Sequence, residues 1–367
     1  MTDLRERVEA AGREASSRAV ETEALRRLPD EVAAALVASG LLRAWVPARY
    51  GGGEAGALEV LDAIEALAFH DGAAGWCAMI GATTSLTAAH LTPDWAERIY
   101  GDPAAVTGGF AMPAGTARRV EGGIVVDGRW SWGSGTHHCT WIGGGARLEA
   151  EGAPFVFFER EQVQIHDTWH VAGLRGTGSN DYSVSGALVP EGRWVHIGAA
   201  PVVDGPVYRL PFLGMLALGV CSVALGLARR AQAELVELAG AKRPAGSSRT
   251  LAERPVVQAE VARAEAAWRS ARAFIREVVE EAAGHDEVTD DDRRNLRLAA
   301  TNATWVSADA VDRMYHAGGG ASIHDSSALQ RVFRDVHVAT QHAMVAERTF
   351  EPVGRMALGL PTDTRTL

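Results

Sequence analysis

The stretch Trp169–Pro190, WHVAGLRGTGSNDYSVSGALVP, is the part of the chain that decides the fold, because a glycine-rich turn runs directly into an alternating strand. Gly173–Ser179 forms the turn, where glycine permits sharp changes of backbone direction. From Tyr182 to Ser185, large apolar residues alternate with serine, which is the period of a strand with one buried face. The glycine spacing is wrong for a GxGxxG fingerprint and a strand follows instead of a helix, so the turn is not a dinucleotide-binding turn.

Composition and charge narrow the class of protein. The chain has 367 residues, of which 47% are hydrophobic, enough to fill more than one core. Its formal net charge of -10 disfavours nucleic acid or an anionic membrane as the main partner, since both would repel it. Cys77, Cys139 and Cys221 lie far apart without a CxxC spacing, which indicates a reducing compartment.

Two segments bear on localisation. The first fifteen residues, MTDLRERVEAAGREA, are charged and helix-forming, unlike a signal peptide. The most apolar run, Leu213–Leu227, is too short to span a bilayer, and its glycines suit close packing of helices. We therefore expect a cytoplasmic protein.

The texture of the sequence changes twice. Apolar residues recur at helical spacing in Glu31–Gly40 and Ala57–Ala68, and glycines end these helices. Short apolar runs broken by glycine, such as Gly123–Gly128 and Pro154–Phe158, then indicate strands. Long alanine-rich helices follow, one of which opens at Thr289 with a variant of the capping box. The sequence thus predicts an α+β protein with a helical domain (1–104), a β-domain (105–205) and a C-terminal helical bundle (206–367).

Three further motifs strengthen one comparison: Trp130–Gly135 (WSWGSG), Gln330–Asp335 (QRVFRD) and Thr340–His342 (TQH). With the Gly173–Ser179 turn, they resemble the acyl-CoA dehydrogenase superfamily, in its branch of two-component flavin-dependent monooxygenases that act on aromatic or polyketide substrates. The similarity spans most of the chain. It implies the acyl-CoA dehydrogenase fold, with a middle domain resembling a β-barrel and a C-terminal four-helix bundle.

The resemblance implies a flavin site. A flavin needs an apolar wall for its ring, donors for its ring atoms and positive groups for its phosphate. Residues matching the family's ring contacts are Trp132, Ser134 and the loop that begins at Phe110. The alternatives are core packing for the aromatic residues and a plain turn for Ser134, although Gly133 and Gly135 would let Ser134 approach a planar ligand closely.

For the phosphate end, the resemblance implies Arg243, with Arg249 as the substitute if the loop is shifted. In the family this arginine reaches the cofactor of a neighbouring subunit. The Gly318–Gly319 turn resembles a family segment with the same cross-subunit role. Solvated arginines and a simple helix C-cap are the alternatives.

The position of the family's catalytic glutamate separates two activities. An acyl-CoA dehydrogenase needs a carboxylate to remove an α-proton. The two places where the family puts it correspond to Ala339–Ala343 and Tyr208–Leu216, and neither contains an acid. His342 stands at the first place, as in the monooxygenase branch, where a neutral imidazole can accept a proton from a phenol or amine or hydrogen-bond the flavin hydroperoxide. On a continuous helix, His342 would share a buried face with Asp335.

Other candidate residues surround Ser134, which we expect to donate to flavin N5 or the peroxide as the second catalytic residue. His137 and His138, if they lie on a strand, point to opposite faces and cannot form a metal pair. We expect His138, which shares its strand parity with Ser134, to bind substrate, with a surface role as the alternative. Trp76 is a candidate for the substrate wall, with core packing as its alternative.

The implied reaction is oxygenation through a C4a-hydroperoxide of reduced FMN or FAD, with O2 and a small aromatic or polyketide-like substrate. The chain lacks an evident nicotinamide fingerprint, so a separate NAD(P)H:flavin reductase is expected as partner. The resemblance also implies a homotetramer. Three alternatives stay open: N-oxygenation of an amine or amino sugar, an acyl-CoA dehydrogenase whose acid is a residue such as Glu347, and a non-catalytic flavin-binding scaffold.

Overall fold

A computed structural model describes residues 3–367 as helices, then a sheet, then helices again. The first helices are α1 (Leu4–Ser17), α2 (Ala19–Leu25), α3 (Asp30–Ser39), α4 (Ala57–His70), α5 (Gly72–Ser85) and α6 (Pro93–Tyr100). The strands are β1 (Thr107–Val120), β2 (Gly123–Gly133), β3 (Trp141–Leu148), β4 (Phe155–Glu159), β5 (Gln164–His166), β6 (Asn180–Pro190) and β7 (Trp194–Val195). The later helices are α7 (Pro206–Arg209), α8 (Phe212–Ala241), α9 (Pro255–Gly284), α10 (Asp290–Gly318), α11 (Ala328–Ala339) and α12 (Phe350–Ala357).

Local signals in the sequence account for several boundaries. Gly40 ends α3 in the left-handed conformation, with φ of 77°, as predicted. Thr289 caps α10: its hydroxyl accepts from the backbone N–H of Asp292, and the Asp292 carboxylate accepts from the N–H of Thr289. The predicted loop around Arg243–Arg249 connects α8 to α9.

The strands form one seven-stranded sheet in the order β5-β6-β2-β1-β3-β4-β7. All neighbouring strands are antiparallel except β1 and β3. The alternation after the glycine-rich turn becomes β6, where Tyr182 and Val184 are buried. Tyr182 pairs in register with Trp130 of β2, and their rings stack at 5.4 Å. The strand predicted in Trp169–Pro190 is therefore confirmed and lies inside the sheet.

Contacts divide the chain into two compact units. Unit 1 runs up to Ala63 and continues with Trp76–Val171 and Arg175–Phe212. Its N-terminal helices and its sheet share a core, in which Tyr100 of α6 packs edge-on against Phe157 of β4. Burial of such aromatic surface is the main stabilising term in a core of this kind.

Unit 2 consists of Ile64–Gly75, Ala172–Leu174 and Leu213–Leu367. Gly226 of α8 lies against the end of α4, where an added Cβ would come within 2.5 Å of the Glu65 carbonyl. The buried Glu65 carboxylate accepts from Arg229 at 2.7 Å and pairs with Arg272 at 3.2 Å. A buried carboxylate between two guanidinium groups is satisfied electrostatically, and it ties α4 to α8 and α9.

The apolar run Leu213–Leu227 belongs to a longer helix than expected. The 30-residue α8 is long and apolar enough to cross a membrane by length and composition, so the argument from a short run does not hold for the whole helix. However, 78% of its most apolar window is buried inside the structure. This burial is what the core helix of a helical bundle shows.

Candidate functional site

Ser134 lies just after β2 and is held by two side chains of unit 1. Its hydroxyl accepts a hydrogen bond from Trp76 Nε1 at 3.1 Å and lies 2.7 Å from the hydroxyl of Ser179. Ser134 and Trp76 are each only 6% exposed. The structure thus brings together two predicted site residues, Ser134 and Trp76, through a direct contact.

The hydrogen bonds continue into the glycine-rich turn. Ser179 Oγ lies 2.6 Å from Thr177 Oγ1, and the Thr177 carbonyl accepts from the N–H of Gly135. Ser179 and Thr177 are buried. Sequence reasoning gave neither residue a role, although both stand within the turn that carried the resemblance. Their signal was two hydroxyl residues among glycines, which suits buried side-chain hydrogen bonds as much as a flexible loop.

The structure corrects the prediction for His137 and His138. Thr136–His138 is a 3-10 helix that begins after Gly135, whose φ is 69°, so the two histidines do not alternate across a strand. The strand ends at Gly133 because the backbone turns there, and parity with Ser134 has no meaning beyond it. His137 instead lies 3.1 Å from the side-chain nitrogen of Asn180.

His138 nevertheless lies near Ser134, since both line a cavity of about 220 Å³ in unit 1. Most of the remaining lining is apolar and includes Leu36, Ile80 and Val106. His138 Nε2 is buried and has no hydrogen-bond partner among residues 3–367. Desolvation lowers the pKa of His138, and the positive charge of Arg27 lowers it further. The ring is therefore neutral near pH 7.

Trp132 presents an aromatic surface beside Phe110. Its backbone has φ of 59°, a conformation that costs a residue with a Cβ about 1 kcal/mol or more and is often found at functional sites. The side chain is 61% exposed, and its ring lies 5.5 Å from that of Phe110. Met112 is exposed to the same extent on the same strand as Phe110. This apolar set, with the Ser134 hydroxyl two residues from Trp132, fits the wall and donor that a flavin ring requires.

The residues predicted at the phosphate end lie in unit 2. Arg243 and Arg249 are exposed in the α8–α9 loop, and neither forms an ion pair with any described residue. Glu253 stands close by: hydrogen bonds from Thr250 lower its pKa, and both arginines contribute. Free guanidinium groups on a loop are suited to a phosphate.

The glycine turn lies next to this loop. Lys242 Nζ donates to the carbonyl of Gly318 at 2.7 Å, so the two predicted segments meet. Gly318 ends α10 and has no room for a side chain, because a Cβ would lie 2.2 Å from Ser322 Oγ. Gly319 has φ of 56° and open space around it. The helix-cap alternative is therefore correct for this turn, and a ligand role remains compatible with it.

His342 does not lie on a continuous helix with Asp335, which corrects another prediction. The helix α11 ends at Ala339, and His342 lies in the turns that follow. The Thr340 hydroxyl donates a hydrogen bond to the His337 carbonyl at 2.7 Å, and Trp305 Nε1 donates one to the Val345 carbonyl at 3.0 Å. These contacts hold an irregular loop. The sequence has no glycine or proline there that would have predicted it.

Within this loop, His342 is half-buried and accepts a hydrogen bond at Nδ1 from the backbone N–H of Met344, at 3.3 Å. Desolvation and the positive charge of Arg297 lower the pKa of His342 to about 4. The imidazole is therefore neutral at physiological pH. Asp335, in α11, instead accepts from the N–H of Leu174 at 2.5 Å, so that QRVFRD and the glycine-rich turn are in contact within unit 2.

The two segments that correspond to the positions of the family's catalytic glutamate contain no acidic residue. Tyr208–Leu216 covers the end of α7 and the start of α8, and Ala339–Ala343 covers the end of α11. Glu347, the residue named for the dehydrogenase alternative, is exposed in a 3-10 helix. Ser134 belongs to unit 1 and His342 to unit 2, and their action on one flavin stays a prediction.

Two family models match separate parts of the chain. The family model "Acyl-CoA dehydrogenase, N-terminal domain" matches residues 2–93, and "Acyl-CoA dehydrogenase, C-terminal domain" matches residues 218–347. The predicted fold class, with helices on both sides of a central sheet in sequence, is confirmed.

Individual proteins give a narrower comparison. The chain is 35% identical to the indole-3-acetate monooxygenase of Pseudomonas putida, over 91% of this chain and 88% of that protein. It is 30% identical to the flavin-dependent monooxygenase oxygenase subunit HsaA of Mycobacterium tuberculosis, over 95% of this chain and 93% of that protein. The solved structure of XiaF from Streptomyces sp., in complex with FADH2 and glycerol, superposes with a TM-score of 0.88 and 27% identity, over 98% of this chain and 95% of that one.

Proposed function

The chain belongs to the acyl-CoA dehydrogenase superfamily, in its branch of flavin-dependent monooxygenases, and from this we propose that it is the oxygenase component of a two-component system hydroxylating a small aromatic substrate. Reduced FMN or FAD supplies the activation of O2 when it is bound. The reductase that provides it is a separate protein, as the description of HsaA as an oxygenase subunit implies for that relative.

Residues of this chain would hold the flavin in three ways. Trp132 and Phe110 form the apolar wall for the ring. The hydroxyl of Ser134, fixed by Trp76 and Ser179, serves as a preorganised polar group beside it. Arg243 and Arg249 provide unpaired positive charge for the phosphate.

The observation that carries the substrate class is the cavity shared by Ser134 and His138. Its volume of about 220 Å³ is below the roughly 300–1,000 Å³ of pockets for drug-sized ligands, which suits one or two rings. A neutral imidazole has one acceptor nitrogen, and the buried Nε2 of His138, which has no hydrogen-bond partner among residues 3–367, is available for that role. A mostly apolar cavity with a buried acceptor nitrogen suits an aromatic ligand that carries an N–H or O–H group.

Oxygenation is tested with purified protein, a generic NADH:flavin reductase, FMN or FAD, and 18O2, with indole and simple phenols as substrates. We expect one 18O atom per product molecule, and product formation that requires this protein. The same mixture with the Ser134→Ala protein controls for oxygenation outside the site. If NADH oxidation yields only hydrogen peroxide with every substrate, the proposal fails in favour of a flavin-binding scaffold.

The role of His138 is tested by a pair of ligands. Wild-type protein should bind indole more tightly than 1-methylindole by about fivefold, since one neutral hydrogen bond contributes about 1 kcal/mol. In His138→Phe, which keeps a ring of similar shape, that difference should vanish. His137→Gln is the matched control on the same 3-10 helix and should keep it. Equal binding of the two indoles to wild type, measured by calorimetry, would contradict this role.

Assembly and location complete the proposal. We infer a homotetramer because the Arg243–Arg249 loop and the Gly318–Gly319 turn resemble segments that the family uses across subunits. We infer a cytoplasmic location from the wide spacing of three buried cysteines, Cys77, Cys139 and Cys221, which fits a reducing compartment.

A further inference from the structure

His342 has a defined tautomer because of its own loop. The backbone N–H of Met344 donates to His342 Nδ1 at 3.3 Å, so Nδ1 is an acceptor and carries no proton. A neutral imidazole has one N–H and one acceptor nitrogen. The proton of neutral His342 is therefore on Nε2.

Arg297 is a buried cation beside this loop. It is 2% exposed on α10, its Nη2 donates to the Thr366 carbonyl at 2.9 Å, and the same nitrogen lies 3.5 Å from Met344 Sδ. No carboxylate among residues 3–367 forms an ion pair with it, and its Nε is buried without a hydrogen-bond partner. Buried arginines are normally paired, because an uncompensated charge in the interior is unfavourable. We therefore expect the buried charge of Arg297 to have a functional role.

Met344 connects the two groups, since its amide binds His342 and its sulfur lies against Arg297. The positive charge of Arg297 opposes a second positive charge on the imidazole. Other charged groups near this loop either form an ion pair or hydrogen bond or are exposed to solvent. His337 pairs with Asp312 at 2.9 Å, and Arg355 of α12 donates to the Pro361 carbonyl. The neighbouring acid and base of the loop, Glu347 and Arg348, are exposed.

We propose that Arg297 is a positioning residue that acts through His342: together with the Met344 amide, it keeps His342 as a neutral Nε2–H hydrogen-bond donor during the reaction. His342 then stabilises an oxygen atom in the site and does not remove a proton from the substrate. The catalytic meaning of this state rests on the proposed monooxygenase function, whereas the state itself does not. This narrows the two roles that the sequence left open for His342 to the donor role.

The test observes the ring directly, in protein containing ring-13C,15N-labelled histidine in a deuterated background. Signals of His342 are identified by their absence in His342→Gln. From pH 8 to pH 5 we expect a protonated Nε2, an unprotonated Nδ1 and no change of charge. A proton on Nδ1, or a titration of His342 between pH 6 and pH 8, would overturn the proposal without any reference to turnover.

Variants of Arg297 test its part. Arg297→Met should raise the titration midpoint of His342 from about 4 towards its ordinary value without reaching it, because the repelling charge is gone while the ring stays buried. Arg297→Lys should leave the midpoint low, since it keeps the charge, and Arg313→Met is the control substitution on the same helix. If Arg297→Met fails to fold, Arg297→Gln, which removes the charge but can still donate to the Thr366 carbonyl, makes the same test. A midpoint that is unchanged in folded Arg297→Met assigns Arg297 only to holding the C-terminal segment at Thr366, and the proposal falls.

Discussion

At the scale of single residues, Ser134 shows how the hydroxyl of a predicted site residue is buried in the core. Trp76 Nε1 donates to this hydroxyl, the Ser179 hydroxyl lies 2.7 Å from it, and all three residues are buried. Removing one partner leaves a buried donor unsatisfied, at a cost of about 1–3 kcal/mol, whereas removing both partners is nearly neutral. Activity lost in Ser134→Ala therefore includes a structural contribution.

A double-mutant cycle measures the structural contribution of the Trp76–Ser134 hydrogen bond. We expect Ser134→Ala to lower the free energy of unfolding by about 1–3 kcal/mol, and Trp76→Phe in the Ser134→Ala background to recover part of that loss. Urea denaturation of the four proteins measures both effects. Strictly additive losses would show that the Trp76–Ser134 hydrogen bond has no energetic weight.

How much of the site was predictable also differs residue by residue. Ser134 could be singled out because Gly133 and Gly135 flank it, and small neighbours are a local signal. Arg297 could not, since a single arginine in a helix is ordinarily solvated, and only burial without an acid reveals it. Its sequence signal was weak: buried leucine and alanine residues surround it along α10.

The acidic limb of the stability profile is a further consequence of His342. Its pKa is lowered from 6.5 to about 4 in the folded protein, so the unfolded chain binds the proton more readily. The contribution of His342 to the free energy of unfolding is therefore fully present above about pH 6.5 and is lost as the pH decreases towards 4. His342→Gln should have a shallower fall in this range, measured by urea denaturation at several pH values. Identical profiles would mean that the pKa of His342 is not lowered in the folded protein.

At the scale of elements, regular periodicity was predictable and the ends of elements were only partly so. Gly40 and Thr289 act through local chemistry, and both boundaries agree with the structure. Beyond the end of α11 at Ala339, Trp305 of α10 donates to the Val345 carbonyl and holds the following loop. A contact between residues forty positions apart leaves no mark on local sequence, so the position of His342 could not be deduced from helical spacing.

The junction of the glycine-rich turn with α11 gives a prediction at this scale. A Cβ on Gly173 would lie 2.2 Å from the Arg334 carbonyl, so the backbone would have to move. The adjacent Asp335–Leu174 hydrogen bond, at 2.5 Å, would then lengthen. We expect Gly173→Ala to destabilise the protein by about 1–3 kcal/mol, as overpacking does, and to lower the thermal midpoint.

Gly354→Ala is the matched control in the same unit, because nothing lies within 4 Å of the added Cβ and α12 accommodates alanine. Calorimetry of both variants measures the difference. Equal midpoints would show that α11 and the turn are not tightly packed. The glycine requirement, which the sequence offered only as a resemblance, would then lack a physical basis.

At the scale of the whole molecule, the order of helices, strands and helices was enough to predict the fold class. The change from helical to alternating periodicity reflects which faces are buried, and burial dominates folding. The grouping of segments into compact units was not accessible in this way. Ala172–Leu174 belongs to unit 2 although its neighbours on both sides belong to unit 1, and it forms hydrogen bonds with Asp335 and Arg334 of that unit.

The proposed assembly makes a prediction about flavin binding. If the Arg243–Arg249 loop holds the phosphate of a flavin in a neighbouring subunit, the double variant Arg243→Glu, Arg249→Glu should bind reduced FMN or FAD at least about tenfold more weakly, because charge-assisted hydrogen bonds contribute about 1.5–3 kcal/mol. Reduced riboflavin, which lacks the phosphate, should bind both proteins equally. Anaerobic equilibrium dialysis measures the three affinities.

The oligomeric state must be read with these affinities, because the loop could act within its own subunit. We expect light scattering to give a tetramer for wild type and for the double variant, since the loop is exposed and its charges are unpaired. Charge reversal at Arg263 and Arg269, which are exposed on α9, controls for net charge and should change neither quantity. A monomer that binds flavin with full affinity would rule out a contribution from a second subunit. A tetramer whose affinity for FMN and for riboflavin falls equally in the double variant would show that the loop shapes the site without contacting the phosphate.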